Sequence, residues 1–185
     1  MTPESGLSRP EPAAVAPVTW RDPLRPAPGE LANSTRLATW LCLLGIPVGV
    51  LWWLVAPRRA YRVSAEGAFA VVAESEAAVG SDGWLLLMLT VVGILGGAFA
   101  WWRVRPRGPY VPVGLAVGMF GCGLLAWFVG SLLGSGPSAA DLAEVGAVVL
   151  GPLGLGAGGV LIMGPFVAVA GYAIGVCFAR RDDLG

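Results

Sequence analysis

Leu37-Ala-Thr-Trp-Leu-Cys-Leu-Leu-Gly-Ile-Pro-Val-Gly-Val-Leu-Trp-Trp-Leu-Val-Ala-Pro57 is an uncharged run held between Arg36 and Arg58. About 20 apolar residues in helical form cross the hydrocarbon of a bilayer, so this stretch is long enough to span one. Pro47 falls in its middle with Gly45 and Gly49 beside it, which predicts a kinked helix. A second uncharged run covers 83–102, between Asp82 and Arg103. Asp82 stands where an N-cap carboxylate would take up the free amide hydrogens of a helix start. A third span, 111–133, lies between Arg107 and Asp141, with Pro112 suited to its first turn. The fourth run, 145–179, exceeds what a membrane needs and is interrupted at Gly151-Pro152. It divides into a short helix at 138–150 and a span at 156–179, with one long kinked helix as the rival reading. Ser138 and Asp141 have the spacing of a capping box. Leu142, Val145, Val148 and Val149 then share a helical face, which predicts a helix lying in the membrane interface.

The composition agrees with these runs. Hydrophobic residues make up 56% of the chain and charged residues 13%, against ~25% charged in an ordinary soluble domain. That is too little charge to coat a soluble particle of 185 residues. The chain has no His and no Lys, and all 12 basic residues are Arg. Imidazole bases, His-based triads and His metal ligands are therefore excluded, as are Walker-type phosphate loops and Schiff-base chemistry. Cys42, Cys122 and Cys177 sit inside apolar runs with no C-x-x-C spacing, and read as small buried residues. A formal net charge of +0 gives no basic field for nucleic acid. No Asp, Glu or Arg falls in the core of any proposed span, which argues against a proton-coupled transporter. No catalytic residue, cofactor or metal site is expected.

Seven of the 15 prolines lie in residues 1–34, where apolar periodicity is missing. This region reads as a disordered, Pro-rich tail ahead of a transmembrane domain at 35–185. Of the two external loops, 58–82 and 134–155, the first carries a non-helical pattern. Residues 61–64 and 68–73 read as a small β-hairpin turning at Ala65-Glu66-Gly67, with Gly67 supplying a positive φ. A lone hairpin is marginal in water, so this one needs to pack on the helix ends or on the second external loop.

Four spans put both termini on one side. Arg36, Arg103, Arg105, Arg107, Arg180 and Arg181 flank the spans there, against Arg58, Arg59 and Arg62 on the other. The positive-inside rule then makes both termini cytoplasmic in a bacterial plasma membrane. Trp52, Trp53, Trp84 and Trp127 fall toward the outer boundary, and Trp40, Trp101 and Trp102 toward the inner one, at headgroup level. Gly-x-x-x-Gly pairs recur at Gly45/Gly49, Gly93/Gly97, Gly114/Gly118, Gly130/Gly134 and Gly171/Gly175. Small residues four apart let helix backbones approach closely, and these pairs read as packing inside the bundle.

The external loops gather Arg58, Arg59, Arg62, Glu74, Glu76, Asp82, Asp141 and Glu144 into a candidate interaction surface. The acids have the chemistry to hold a divalent cation, and the arginines to dock anionic headgroups. The plainer reading is a solvated polar face.

The run Gly49-Val-Leu-Trp-Trp-Leu-Val-Ala-Pro57, the Ser81-Asp82-Gly83 opening of the second span, Arg107-Gly108-Pro109, and Leu125-Ala126-Trp127 with Gly130 carry a resemblance. Together they resemble a small actinobacterial family of four-span membrane proteins of unknown function. The resemblance covers roughly residues 41–134. It implies a four-span envelope protein and matches an aspartate at Asp82, with no activity attached. The expected fold is an all-α membrane protein: four transmembrane helices, a small extracytoplasmic β-hairpin and a disordered N-terminal tail. The expected function is non-enzymatic, a structural, accessory or assembly role in the cell envelope. Its partners would be the lipid bilayer and a membrane protein or a second copy of itself. An oligomeric channel or small-solute transporter is the alternative, and a membrane enzyme acting on lipid-linked substrate a third.

Overall fold

The computed structural model describes residues 28–64, 67–70, 76–105 and 108–178. The predicted tail lies outside these residues as far as residue 27, but its end is not a tail. Helix α1 (Glu30–Leu43) begins inside it, behind a left-handed Gly29 at φ 82°. Helix α2 (Gly45–Val55) continues α1 after a break at Leu44. Leu44 and Val48 still donate to the carbonyls four residues back, at 3.1 and 3.2 Å. The break falls where the ring of Pro47 meets the carbonyl of Leu43 and has no N–H to offer it.

Helix α3 (Glu76–Arg103) starts ahead of the expected residue 83. Helices α4 (Tyr110–Leu133) and α5 (Val160–Phe178) lie close to their predicted spans. Taking α1 and α2 together, Glu30–Val55, Val79–Arg103, Tyr110–Leu133 and Val160–Phe178 are long and apolar enough to cross a membrane. Their outer faces are apolar too: Leu54, Leu95, Val117, Leu132 and Phe166 are 62–67% exposed. Apolar surface on every side suits hydrocarbon rather than water as the surrounding medium.

Two parallel helix pairs build the bundle. Along the first, Gly114 and Gly118 of α4 lie against Ser34 and Ala38 of α1, and Gly45 and Gly49 of α2 lie against Cys122 and Ala126 of α4. A Cβ on Gly49 would come to 2.6 Å from the Ala126 carbonyl oxygen. Along the second pair, Cβ atoms on Gly93 and Gly97 of α3 would come to 2.8 and 2.6 Å from the carbonyl oxygens of Gly164 and Ala168 of α5. Contacts ascend in the same order on both members of each pair, so each pair runs parallel. The glycine pairs thus pack the bundle internally, with one departure: Gly175 meets the Trp101 ring, while Gly171 faces open space.

The two pairs meet through a buried seam of Leu85, Leu89, Met119, Cys122 and Leu161. Trp52, near the sheet end of α2, points into this interior. Its side chain is fully buried, and its indole N–H donates to the Ser81 carbonyl at 2.8 Å. Trp101 also turns inward, edge-on to Tyr172 at 6.0 Å. Trp40 and Trp102 remain on the outside.

Replacing Gly49 by Leu should lower stability in micelles by about 1–3 kcal/mol, the usual cost of overpacking. The same change at Gly171 should be close to neutral, because nothing lies within 4 Å of it. Reversible denaturant titration of the two variants in one detergent checks the contrast.

Candidate functional site

The candidate surface lies at the end of the bundle where α2 finishes and α3 begins. There the chain forms β1 (Ala60–Ser64) and β2 (Gly67–Ala70), paired antiparallel from Tyr61 opposite Ala70 to Ser64 opposite Gly67. The hairpin therefore exists, each strand starting one residue earlier than expected, while residues 71–73 of the expected second strand lie outside the described residues. Gly67 is not its turn residue: it pairs with Ser64 as the first residue of β2. Residues 65 and 66 of the connection lie outside the described residues. Gly29 and Gly146 have positive φ.

The second long loop completes the sheet. Strand β3 (Val148–Leu150) pairs antiparallel with β1, giving the order β2-β1-β3. Gly146 donates to the Val63 carbonyl at 2.8 Å, Val63 to Ala147 at 3.0 Å, and Gly151 to Arg59 at 2.7 Å. The hairpin does pack on the second long loop, as its marginal stability requires, and does so through strand pairing. The helix expected at 138–150 is absent, as is the rival long helix through 138–179. In their place a single 3-10 turn, Asp141–Ala143, leads into the strand. Gly146 at φ 98° ends any helical continuation, and the open edge of β1 offers the amide partners that Val148 and Val149 prefer.

The candidate charged residues do different things. The Arg58 guanidinium folds back on the end of α2, donating to the Trp53 carbonyl at 3.3 Å with its carbon 5.6 Å from the Trp53 ring centroid. Arg59 and Arg62 are exposed. Together with Tyr61, Ser81 and the segment 152–156, Arg58 and Arg59 line a cavity of about 240 Å³. Asp82 is not an N-cap of its own helix, since α3 starts at Glu76. Its carboxylate crosses to the chain leading into α5, accepting from the amides of Gly156 at 3.1 Å and Ala157 at 2.7 Å. Asp141 accepts from the hydroxyl and amide of Ser138 at 2.7 and 2.8 Å, and its own amide donates back to the hydroxyl at 3.3 Å. This is the capping box expected from the spacing, closed around one 3-10 turn. The Ser138 hydroxyl bond, then the Ser138 amide bond, hold the Asp141 carboxyl below its ordinary value. Glu144 is exposed. Glu74 and the side chain of Glu76 lie outside the described residues.

Among the described residues, no three His, Cys, Asp or Glu side chains gather closely enough to hold a metal ion. Asp82 and Asp141 each engage backbone amides rather than a shared centre. What the structure adds is apolar. Val148 and Leu150 are 58% and 55% exposed on one face of β3, while Val149 between them is buried. Leu142 and Val145, in the segment leading into β3, are exposed as well. Helical periodicity hides the strand. The signal available was a short β-branched run bounded by Gly146 and Gly151-Pro152.

No family model matches this sequence, and neither a curated protein nor a solved structure matches it.

Replacing Asp82 by Ala should cost about 1–2 kcal/mol, the range for hydrogen bonds to a charged group reduced for partial exposure. Hydrogen exchange at the Gly156 and Ala157 amides should rise in the same variant. The lowered Asp141 pKa means its capping contact stabilises the fold above the ordinary carboxylate range and is lost as pH falls through the lowered value. Carboxylate titration by NMR should find the Asp141 pKa rising toward 3.8 when Ser138 is replaced by Ala.

Proposed function

We propose that this chain is a non-catalytic, multi-pass protein of the bacterial plasma membrane with a structural, accessory or assembly role, and that its sheet is the contact surface for a membrane-protein partner. The exposed apolar row on β3 carries the proposal. Val148 and Leu150 stand on a short edge strand outside the helical spans. Edge strands and exposed apolar patches are common protein-docking features. The engagement of Asp82 and Asp141 with backbone amides favours this reading over an enzyme acting through clustered acids.

The proposal includes cytoplasmic termini. Arg36, Arg103 and Arg105 stand at the end of the bundle opposite the sheet, as the positive-inside rule asks of the cytoplasmic face. The proposal extends to membership of the small actinobacterial four-span family, on the Gly49–Pro57, Ser81–Gly83 and Leu125–Trp127 motifs.

Crosslinking in native membranes, followed by affinity isolation through a C-terminal tag, tests the role. A crosslinked partner should be recovered with the wild-type chain and lost when Val148 and Leu150 are both replaced by Asp. A clean homo-oligomer with no partner, or a partner retained by the double variant, would contradict it. The first of those outcomes turns attention to liposome flux and the channel or transporter alternative.

A further inference from the structure

Helix α1 lies along α4, and α3 lies along α5, so α1 and α3 have little contact of their own. At the end away from the sheet they bound a groove of about 820 Å³, within the ~300–1,000 Å³ of small-ligand sites. Its walls are apolar, with Leu37 and Trp40 on one side and Leu95 and Phe99 on the other, and Gly96 on its floor. Its mouth is cationic. Arg36 from α1, Arg103 from the end of α3, and Arg105 just beyond it all line the groove. The Asn33 side chain donates to the Arg105 carbonyl at 3.1 Å, tying that short segment to the first turns of α1.

We propose that this groove holds one acyl chain of an anionic phospholipid, with the lipid phosphate bound by Arg36, Arg103 and Arg105. The observations divide as such a ligand does: hydrocarbon along the spans and cations where the spans end. Among the described residues, no acidic side chain pairs with any of the three guanidinium groups. Glu30, the acidic residue closest to them on α1, is buried and accepts from the Tyr110 amide at 2.8 Å. Three guanidinium groups around one opening suit a phosphate, which arginine binds through two parallel hydrogen bonds. A zwitterionic lipid carries its own ammonium group and gains less from them. The inference rests on the helices crossing a bilayer and is independent of the sheet's role.

Native mass spectrometry of the full chain in non-ionic detergent tests it, with phosphatidylglycerol and phosphatidylcholine of matched chains as probes. Wild-type protein should retain one phosphatidylglycerol in preference to phosphatidylcholine. The triple variant Arg36→Gln, Arg103→Gln, Arg105→Gln should lose that preference by about a hundredfold, the combined effect of three basic residues at a lipid surface. Gly96→Leu, which puts a side chain on the groove floor, should reduce retention of both lipids. Single variants at Arg103 and Arg105 keep the test open if the triple variant does not fold, each giving a partial loss. Equal preference in wild-type and arginine-depleted protein would overturn the proposal. So would complete displacement of the lipid by inorganic phosphate, since the acyl chain would then play no part. A dimer that Gly96→Leu dissociates while lipid retention stays constant would assign the groove to a second copy instead. Failure of the bilayer reading itself would look different: the chain would stay soluble without detergent.

Discussion

The close approach of helix backbones at glycine is the constraint on which the rest of the structure depends. Inside a bilayer, apolar side chains gain nothing by leaving lipid for protein, so helices associate through packing. Here that packing is backbone against backbone. Gly45 and Gly49 let α2 rest on the carbonyls of α4, and Gly93 and Gly97 let α3 rest on α5. The choice of partners follows from where the glycines are. The first span takes the third, and the second takes the fourth. Because α1 and α3 do not share such a stripe, they part toward the Arg36 end and leave the groove between them.

The same pairing explains why the sheet forms. The hairpin follows α2 and β3 lies between α4 and α5, so parallel pairing of α2 with α4 delivers both loops to one end of the bundle. There β1 lies between β2 and β3. Two carboxylates fix the connections at opposite ends by one device. Asp82 takes the amides of Gly156 and Ala157 ahead of α5. Glu30 takes the amide of Tyr110 at the start of α4, and Gly108 leaves room for it, since a Cβ there would collide with the carboxylate. Amides at a helix start lack intrahelical acceptors, and a carboxylate satisfies them with favourable charge.

Much of the fold was legible because charge-free runs are a coarse and robust signal. The third span was placed within a residue of α4, since Arg107 and Asp141 bracket it and Pro112 suits its first turn. Long-range partnership was not legible. Val148 to Leu150 has two β-branched residues, yet it also fits a helical face. The strand that decides between them, β1, is supplied from more than 80 positions away. Glu30 reads in sequence as part of the Pro-rich tail, and its long-range contact with Tyr110 lies 80 positions away. Trp52 has the sequence position of an interfacial tryptophan, but the glycine at 130 opens a slot for its ring inside the bundle. The described candidate charges stand at the sheet end of the molecule. Asp82 and Asp141 are occupied with the backbone, and Leu142, Val145 and Val148, which periodicity assigns to a membrane-lying helix, are exposed.

The central claim is that the bundle crosses a bilayer with the sheet on the outside and Arg105 on the inside. Thiol labelling in intact cells tests it most directly, using a chain whose Cys42, Cys122 and Cys177 are replaced by Ala and which carries one new cysteine at Leu150 or at Arg105. A membrane-impermeant maleimide should label the Leu150 position in intact cells and the Arg105 position only after permeabilisation. Labelling of both positions from outside, or the reverse pattern, would contradict the account.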